Sequence, residues 1–272
     1  MAERLKRRWL MGIFEAVILG LLQGFTEFLP VSSSGHLVLM QQVMGLQEVP
    51  IFFDTMLHLG TLIAVVIVLF SEIVGIFRHP VKNHMGMLIL ASIPAAVVGY
   101  LWNDYFESIF RSGSLLGVCF LITAIILVVS ELIAAKINTQ KHITTKSALV
   151  MGLMQAVAIL PGVSRSGSSI AGGLFMGVDR VSAAKFSFLM SIPIILGSVV
   201  FSGASIADVG IGDISVTVIA AGTIAAAASG FFAVKFMLSI IKKTKLYGFA
   251  VYVTALGVFL LMDQYVFHFI FK

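Results

Sequence analysis

Glu27, Ser32, Ser33, Ser34 and His36 place a carboxylate, three hydroxyls and an imidazole in one short run, Gln23-Gly24-Phe25-Thr26-Glu27-Phe28-Leu29-Pro30-Val31-Ser32-Ser33-Ser34-Gly35-His36. The flanking residues are apolar, and ionisable groups inside such segments are costly and mark function. A second copy lies 132 positions on: Val163-Ser164-Arg165-Ser166-Gly167-Ser168 matches Val31-Ser32-Ser33-Ser34-Gly35-His36, and Gln155 matches Gln23. One copy carries Glu27 and His36, the other Arg165. Complementary charge on two halves of a repeat points to one site built from both.

The spacing suggests phosphate chemistry. Gln23 and Glu27, four apart, share one face of a helix that Pro30 ends. Gly35 and His36 open the next helix, so Ser32, Ser33 and Ser34 are its N-cap residue types. Free N–H groups and the positive dipole end make a helix start an anion site. Ser164, Ser166 and Gly167 repeat the arrangement, and Arg165 adds a bidentate, permanently charged phosphate clamp. Glu27 is then expected to hold a divalent cation, Mg²⁺ or Ca²⁺, or to act as a base. Ser33 and His36 are the candidate nucleophiles, with direct attack by water as a third option. Plainer readings stand beside these. Ser-Ser-Ser-Gly alone is an ordinary turn, Glu27 reads also as a structural partner of Arg165, and His36 as a donor to a nearby carbonyl. His58, with Asp54 on the same apolar segment, reads as a core or interfacial histidine.

The elements that must position these groups follow from composition. Of 272 residues, 59% are hydrophobic and 11% charged, with a mean hydropathy of +1.05. Soluble domains carry about 25% charged residues, so the chain is a polytopic membrane protein. Its net charge of +5 fits membrane orientation and lipid headgroups and not nucleic acid. Cys119 is the sole cysteine, which excludes an internal disulfide.

Six segments are long enough to span a bilayer at roughly 20 apolar residues each: 55–76, 85–103, 115–134, 183–203, 213–234 and 247–270. The stretches 11–28, 36–46, 147–160 and 168–177 are borderline or short, and each pair flanks one polar motif. Short, Gly/Pro-interrupted segments at matching positions point to a midplane site. The expected fold is all-α: six transmembrane helices plus two re-entrant hairpins in one domain over 1–272, with repeat one about 11–134 and repeat two about 147–270. Three spans separate the hairpins, so they enter from opposite faces. Arg78, Lys82, Lys136, Lys141, Lys146, Arg180, Lys185, Lys242, Lys243 and Lys245 gather on the expected cytoplasmic side. The cluster Arg4, Lys6, Arg7 and Arg8 opposes that orientation; Arg111 and Lys272 share its side.

The first motif, taken with Pro161-Gly162-Val163-Ser164-Arg165-Ser166-Gly167, strongly resembles the bacterial undecaprenyl-diphosphatase family of bacitracin-resistance phosphatases. The likeness covers essentially the whole chain. It implies hydrolysis of a polyprenyl diphosphate lipid, undecaprenyl diphosphate, to undecaprenyl phosphate and inorganic phosphate, which recycles the carrier for cell-wall synthesis. It also implies a divalent cation and a site open to the outer face of the cytoplasmic membrane. Carried over by position, the acidic residue is Glu27, the serine cluster Ser32, Ser33 and Ser34, the histidine His36 and the phosphate-binding arginine Arg165. One departure is Gln23, where many members have Glu; Gln is no general base and a weaker metal ligand. A homodimer is compatible with the sequence. The rival class is a lipid-phosphate flippase or anion transporter of the same architecture, which needs no nucleophile. A membrane serine protease is weaker still, since an acyl intermediate needs no cationic phosphate clamp.

Overall fold

The computed structural model describes residues 11–46, 49–80, 85–102, 105, 108, 113–139, 142–209 and 214–271, with the backbone alone over 202–209. All regular structure there is helical: α1 Ile13–Glu27, α2 Ser33–Val43, α3 Ile51–Val68, α4 Phe70–Arg78, α5 Met85–Leu101, α6 Leu116–Ala134, α7 Thr145–Val157, α8 Arg165–Phe175, α9 Arg180–Val209, α10 Val216–Ile240 and α11 Tyr247–Met262. A π-helical turn, Asp263–Phe267, continues α11.

Among the described residues, five helices are long and apolar enough to cross a membrane: Ile51–Val68, Leu116–Ala134, Arg180–Phe201, Val216–Ile240 and Tyr247–Phe267. The sixth expected span, 85–103, is represented by the 17-residue α5, at the short end of the spanning range. The expected span 55–76 breaks in two at Leu69, whose backbone (φ −103°, ψ 24°) leaves the helical region between α3 and α4. No proline or glycine stands there to announce the break. Each short stretch is a short helix: α1 and α2 flank the first motif, α7 and α8 the second. Phe14, Phe70, Phe77, Val200, Phe232 and Val251 are among the exposed apolar side chains, the outward surface of a protein solvated by lipid. Arg4, Lys6, Arg7, Arg8, Lys82, Arg111, Lys141 and Lys272, used above for orientation, lie outside the described residues.

Packing follows the repeat with an exchange of partners. Helix α1 lies against α10 of the second half, and α7 lies against α5 of the first. Helices α3 and α9 pack on each other, as do α6 and α11. The contacts run over small residues, because helices in lipid associate by close van der Waals packing and not by hydrophobic expulsion. A Cβ on Gly24 would lie 1.9 Å from Ser229 Oγ, and one on Gly20 2.2 Å from the Gly222 carbonyl. On the other side, a Cβ on Gly152 would lie 2.4 Å from the Ala91 carbonyl. Larger residues would push α1 and α7 away from the helices that seat them.

Two buried carboxylates, again 132 positions apart, tie down the helix ends. Glu131 at the end of α6 accepts two guanidinium nitrogens of Arg180 and the Leu246 N–H at 2.8 Å. Asp263 at the end of α11 accepts the N–H groups of Phe269, Ile270 and Phe271 at 2.9, 3.1 and 3.0 Å. Gln264 beside it donates to the Gly113 carbonyl at 2.8 Å, just ahead of α6. Glu131 thus satisfies an N–H left bare at the start of α11, and Asp263 holds the chain that follows α11.

Candidate active site

Ser32 and Ser164 cap α2 and α8. Ser32 Oγ accepts the Gly35 N–H at 3.3 Å and Ser164 Oγ the Gly167 N–H at 3.0 Å. The N–H groups ahead of them have no acceptor within their own helix, so two helix starts offer donors to a ligand. The turns lie directly on one another. A Cβ on Gly35 would come 3.1 Å from Gly162 Cα, and one on Gly167 3.2 Å from Pro30 Cβ. Gly162 itself has φ +95°, a conformation glycine adopts without strain. Two hydroxyls at matched positions latch the turns: Ser34 Oγ accepts the Gly162 N–H at 3.4 Å, and Ser166 Oγ donates to the Leu29 carbonyl at 2.8 Å. Thr123 of α6 accepts the Ser164 N–H at 3.0 Å.

The latched turns converge on one carboxylate. Glu27 is 6% exposed. Its Oε1 takes the Arg165 guanidinium, and its Oε2 takes the Ser33 hydroxyl at 2.5 Å and the Gln23 amide N–H at 2.9 Å. Ser33 and Arg165 are the same position in the two copies, one on each oxygen. Arg165 also donates to the Ser187 carbonyl at 3.4 Å, which anchors it to α9. Its side chain keeps 17% exposure, enough for a guanidinium to meet a ligand.

His36 bonds to partners other than Glu27. Its Nδ1 donates to the Ser32 carbonyl at 2.7 Å, since a carbonyl can only accept. That leaves Nε2 to accept the Tyr252 hydroxyl at 2.7 Å. The ring stacks on Tyr252 and meets the edge of Phe120. Both ring nitrogens are therefore engaged, and the imidazole braces the first turn against α6 and α11.

A different histidine reaches the carboxylate. His58 Nδ1 of α3 lies 3.3 Å from Glu27 Oε2 and 2.7 Å from Gln23 Nε2. Sequence reasoning passed over it as a core residue, although an ionisable pair, Asp54 and His58, one turn apart in an apolar helix was signal enough. Asp54 accepts from Gln41 at 2.9 Å. Tyr252 is a second residue missed, as one aromatic among many in an apolar helix. Gln155, by contrast, is buried with neither amide atom hydrogen-bonded, as is the Ser168 hydroxyl.

Chemically, a serine hydroxyl against a buried carboxylate is a nucleophile with a base in reach. A guanidinium beside two helix starts is a place for phosphate oxygens. The family described as bacitracin resistance protein BacA matches residues 16–259. A protein of Carboxydothermus hydrogenoformans named undecaprenyl-diphosphatase is 44% identical over 256 residues, covering 93% of this chain and 98% of the relative. Undecaprenyl-diphosphatase 3 of Bacillus cereus is 41% identical over 255 residues, covering 94% and 98%. The undecaprenyl-diphosphatase of Alkaliphilus metalliredigens is 40% identical, covering 91% and 97%.

Proposed function

The chain belongs to the bacitracin resistance protein BacA family, and on that premise we propose that it is a membrane phosphatase that hydrolyses undecaprenyl diphosphate to undecaprenyl phosphate and inorganic phosphate. The observation that carries the reading to particular residues is the convergence of Ser33 and Arg165 on Glu27. Arg165 binds the diphosphate together with the N–H groups at the starts of α2 and α8. These fixed donors stabilise the charge that develops on the transferred phosphoryl group. Ser33 Oγ gives its proton to Glu27 Oε2 and attacks the terminal phosphorus. The bond from that phosphorus to the bridging oxygen breaks, the protonated Glu27 passes its proton to the departing oxygen, and undecaprenyl phosphate leaves. Water, giving a proton to the same carboxylate, then attacks the phosphoserine; the P–Oγ bond breaks, inorganic phosphate leaves, and Glu27 returns the proton to Ser33 Oγ. His36 and Tyr252 hold the first turn in register. Glu27 is also the carboxylate that would take a divalent cation, Mg²⁺ or Ca²⁺, which when bound supplies further charge neutralisation.

The two short helix pairs, α1–α2 and α7–α8, act as re-entrant hairpins that enter from opposite faces of the bacterial cytoplasmic membrane, with the site open to the outer face. The exchanged packing on α10 and α5 supports this arrangement. Single cysteines at Gly45 and Lys146, in a Cys119→Ala background, should label from opposite faces; labelling of both from one face would exclude the inverted repeat. The activity itself is tested by phosphate release from undecaprenyl diphosphate by the purified chain in detergent. Release that stops with chelator and returns with Mg²⁺ or Ca²⁺ is expected. No release under any metal condition would leave a carrier of the same lipid as the better reading.

A further inference from the structure

Three polar atoms face one another beside Ser33: Gln23 Nε2, Glu27 Oε2 and His58 Nδ1. Their separations are 2.9 Å from Gln23 to Glu27, 2.7 Å from Gln23 to His58 and 3.3 Å from His58 to Glu27. Neighbouring ligands of an octahedral cation, each 2.0–2.1 Å from the metal, stand about 2.9 Å apart. The triangle therefore has the size of one face of a coordination octahedron.

Two of its corners already carry lone pairs, a carboxylate oxygen and an imidazole nitrogen. The third shows an amide N–H, while the oxygen of the same amide, Gln23 Oε1, is buried without a hydrogen-bond partner. A carboxamide has nearly the same shape either way round, so a half-turn about its last bond exchanges the two atoms. Among the described residues no three His, Cys, Asp or Glu side chains cluster as a metal site. Here the third donor is an amide.

We propose that His58 Nδ1 and Gln23 Oε1 complete, with Glu27 Oε2, a three-ligand cation site, and that the imidazole makes it prefer first-row transition cations over Ca²⁺. The amide is the moving part. Without a cation its N–H bridges Glu27 and His58; with one, its oxygen turns inward. Imidazole suits transition metals, whereas Ca²⁺ takes oxygen ligands in larger, looser shells. Arg165 already neutralises Glu27 through its other oxygen, so the protein side of the site carries little net negative charge. Tight binding then needs the diphosphate, which draws Arg165 towards itself and brings its own negative oxygens. The inference rests on the phosphatase reading only for that last point.

The probe is Mn²⁺ bound to the full-length protein in detergent with a methylene-bridged, non-hydrolysable polyprenyl diphosphonate. Pulsed electron paramagnetic resonance should show imidazole ¹⁴N coupling to Mn²⁺. The coupling should vanish in His58→Gln, with Mn²⁺ affinity falling at least about tenfold. Gln23→Leu should weaken Mn²⁺ while keeping the nitrogen signal. Calcium should compete poorly with Mn²⁺ in the wild type and better in His58→Gln. Wild-type Mn²⁺ bound without ¹⁴N coupling, or coupling that survives in His58→Gln, would overturn the assignment, as would absence of Mn²⁺ binding. The result is separable from the function. Phosphate release without a nitrogen signal removes His58 and leaves the phosphatase, and a nitrogen signal without phosphate release under any metal does the reverse.

Discussion

The two polar turns share a plan and differ in chemistry. Both open with a capping serine, Ser32 or Ser164, whose hydroxyl lies 3.3 Å from the serine two residues on. Each lends a serine to the other across the contact, and the short helix before each turn, α1 or α7, lies on a helix of the opposite half. Their divergence is confined to a few positions. Ser33 faces Arg165, and both reach Glu27. Gln23 bridges Glu27 and His58, while its counterpart Gln155 is buried with no partner at all. His36 is held by Ser32 and Tyr252, while its counterpart Ser168 has a hydroxyl left bare. The repeat supplies the geometry of two facing helix starts. Departure from the repeat supplies the ionisable groups, with Glu27 from one copy and Arg165 from the other.

Three substitutions sharpen that contrast. The largest effect is expected from Arg165→Lys, which keeps the charge the second copy contributes but loses the guanidinium fork. Turnover should fall by about 10²–10³, equivalent to about 2–4 kcal/mol of transition-state stabilisation, with the thermal unfolding midpoint little changed. Near-normal phosphate release in this variant would remove Arg165 from the site. A smaller effect, a few-fold loss of turnover, is expected from Tyr252→Phe. It takes away only the hydroxyl that holds His36 Nε2 and leaves the stacked ring; an unchanged rate would reduce His36 to packing. The smallest is Gln155→Leu. Replacing a buried amide that bonds to nothing removes a desolvation penalty of about 1–3 kcal/mol, so unfolding in detergent should shift upwards while phosphate release stays as in the wild type. A large loss of activity there would mean that the second copy carries chemistry of its own.

Much of this site is written locally in the chain. Glu27, Ser33 and Arg165 stand out because ionisable and hydroxyl groups are costly in apolar segments. Pro30 and Gly162 mark where each short helix must stop. The 132-residue offset brings the two marks together. His58 and Tyr252 are harder to find because their roles arise from packing. His58 is 31 positions from Glu27, and only the close approach of α1 and α3 to α10, over Gly24, Gly60 and Ala226, brings the imidazole to the carboxylate. Tyr252 reaches His36 from α11, and nothing in its apolar helix marks it out. The break at Leu69 is invisible for the opposite reason. Only Ser71 and Glu72 interrupt the apolar run around it, so hydropathy reads one span where the backbone makes two helices.

The central claim is that Ser33 and Glu27 act as one unit, hydroxyl and base, at the meeting of the two turns. A double-mutant cycle on single-turnover phosphate release from undecaprenyl diphosphate tests it directly, using Ser33→Ala, Glu27→Gln and the pair. Residues that act together are strongly non-additive. Each single substitution should therefore cost about 10³ or more, and Ser33→Ala should cost almost nothing further once Glu27 is Gln. If the two losses multiply, or if Ser33→Ala alone leaves the rate intact, Glu27 is not the base for Ser33 and the account fails at its centre.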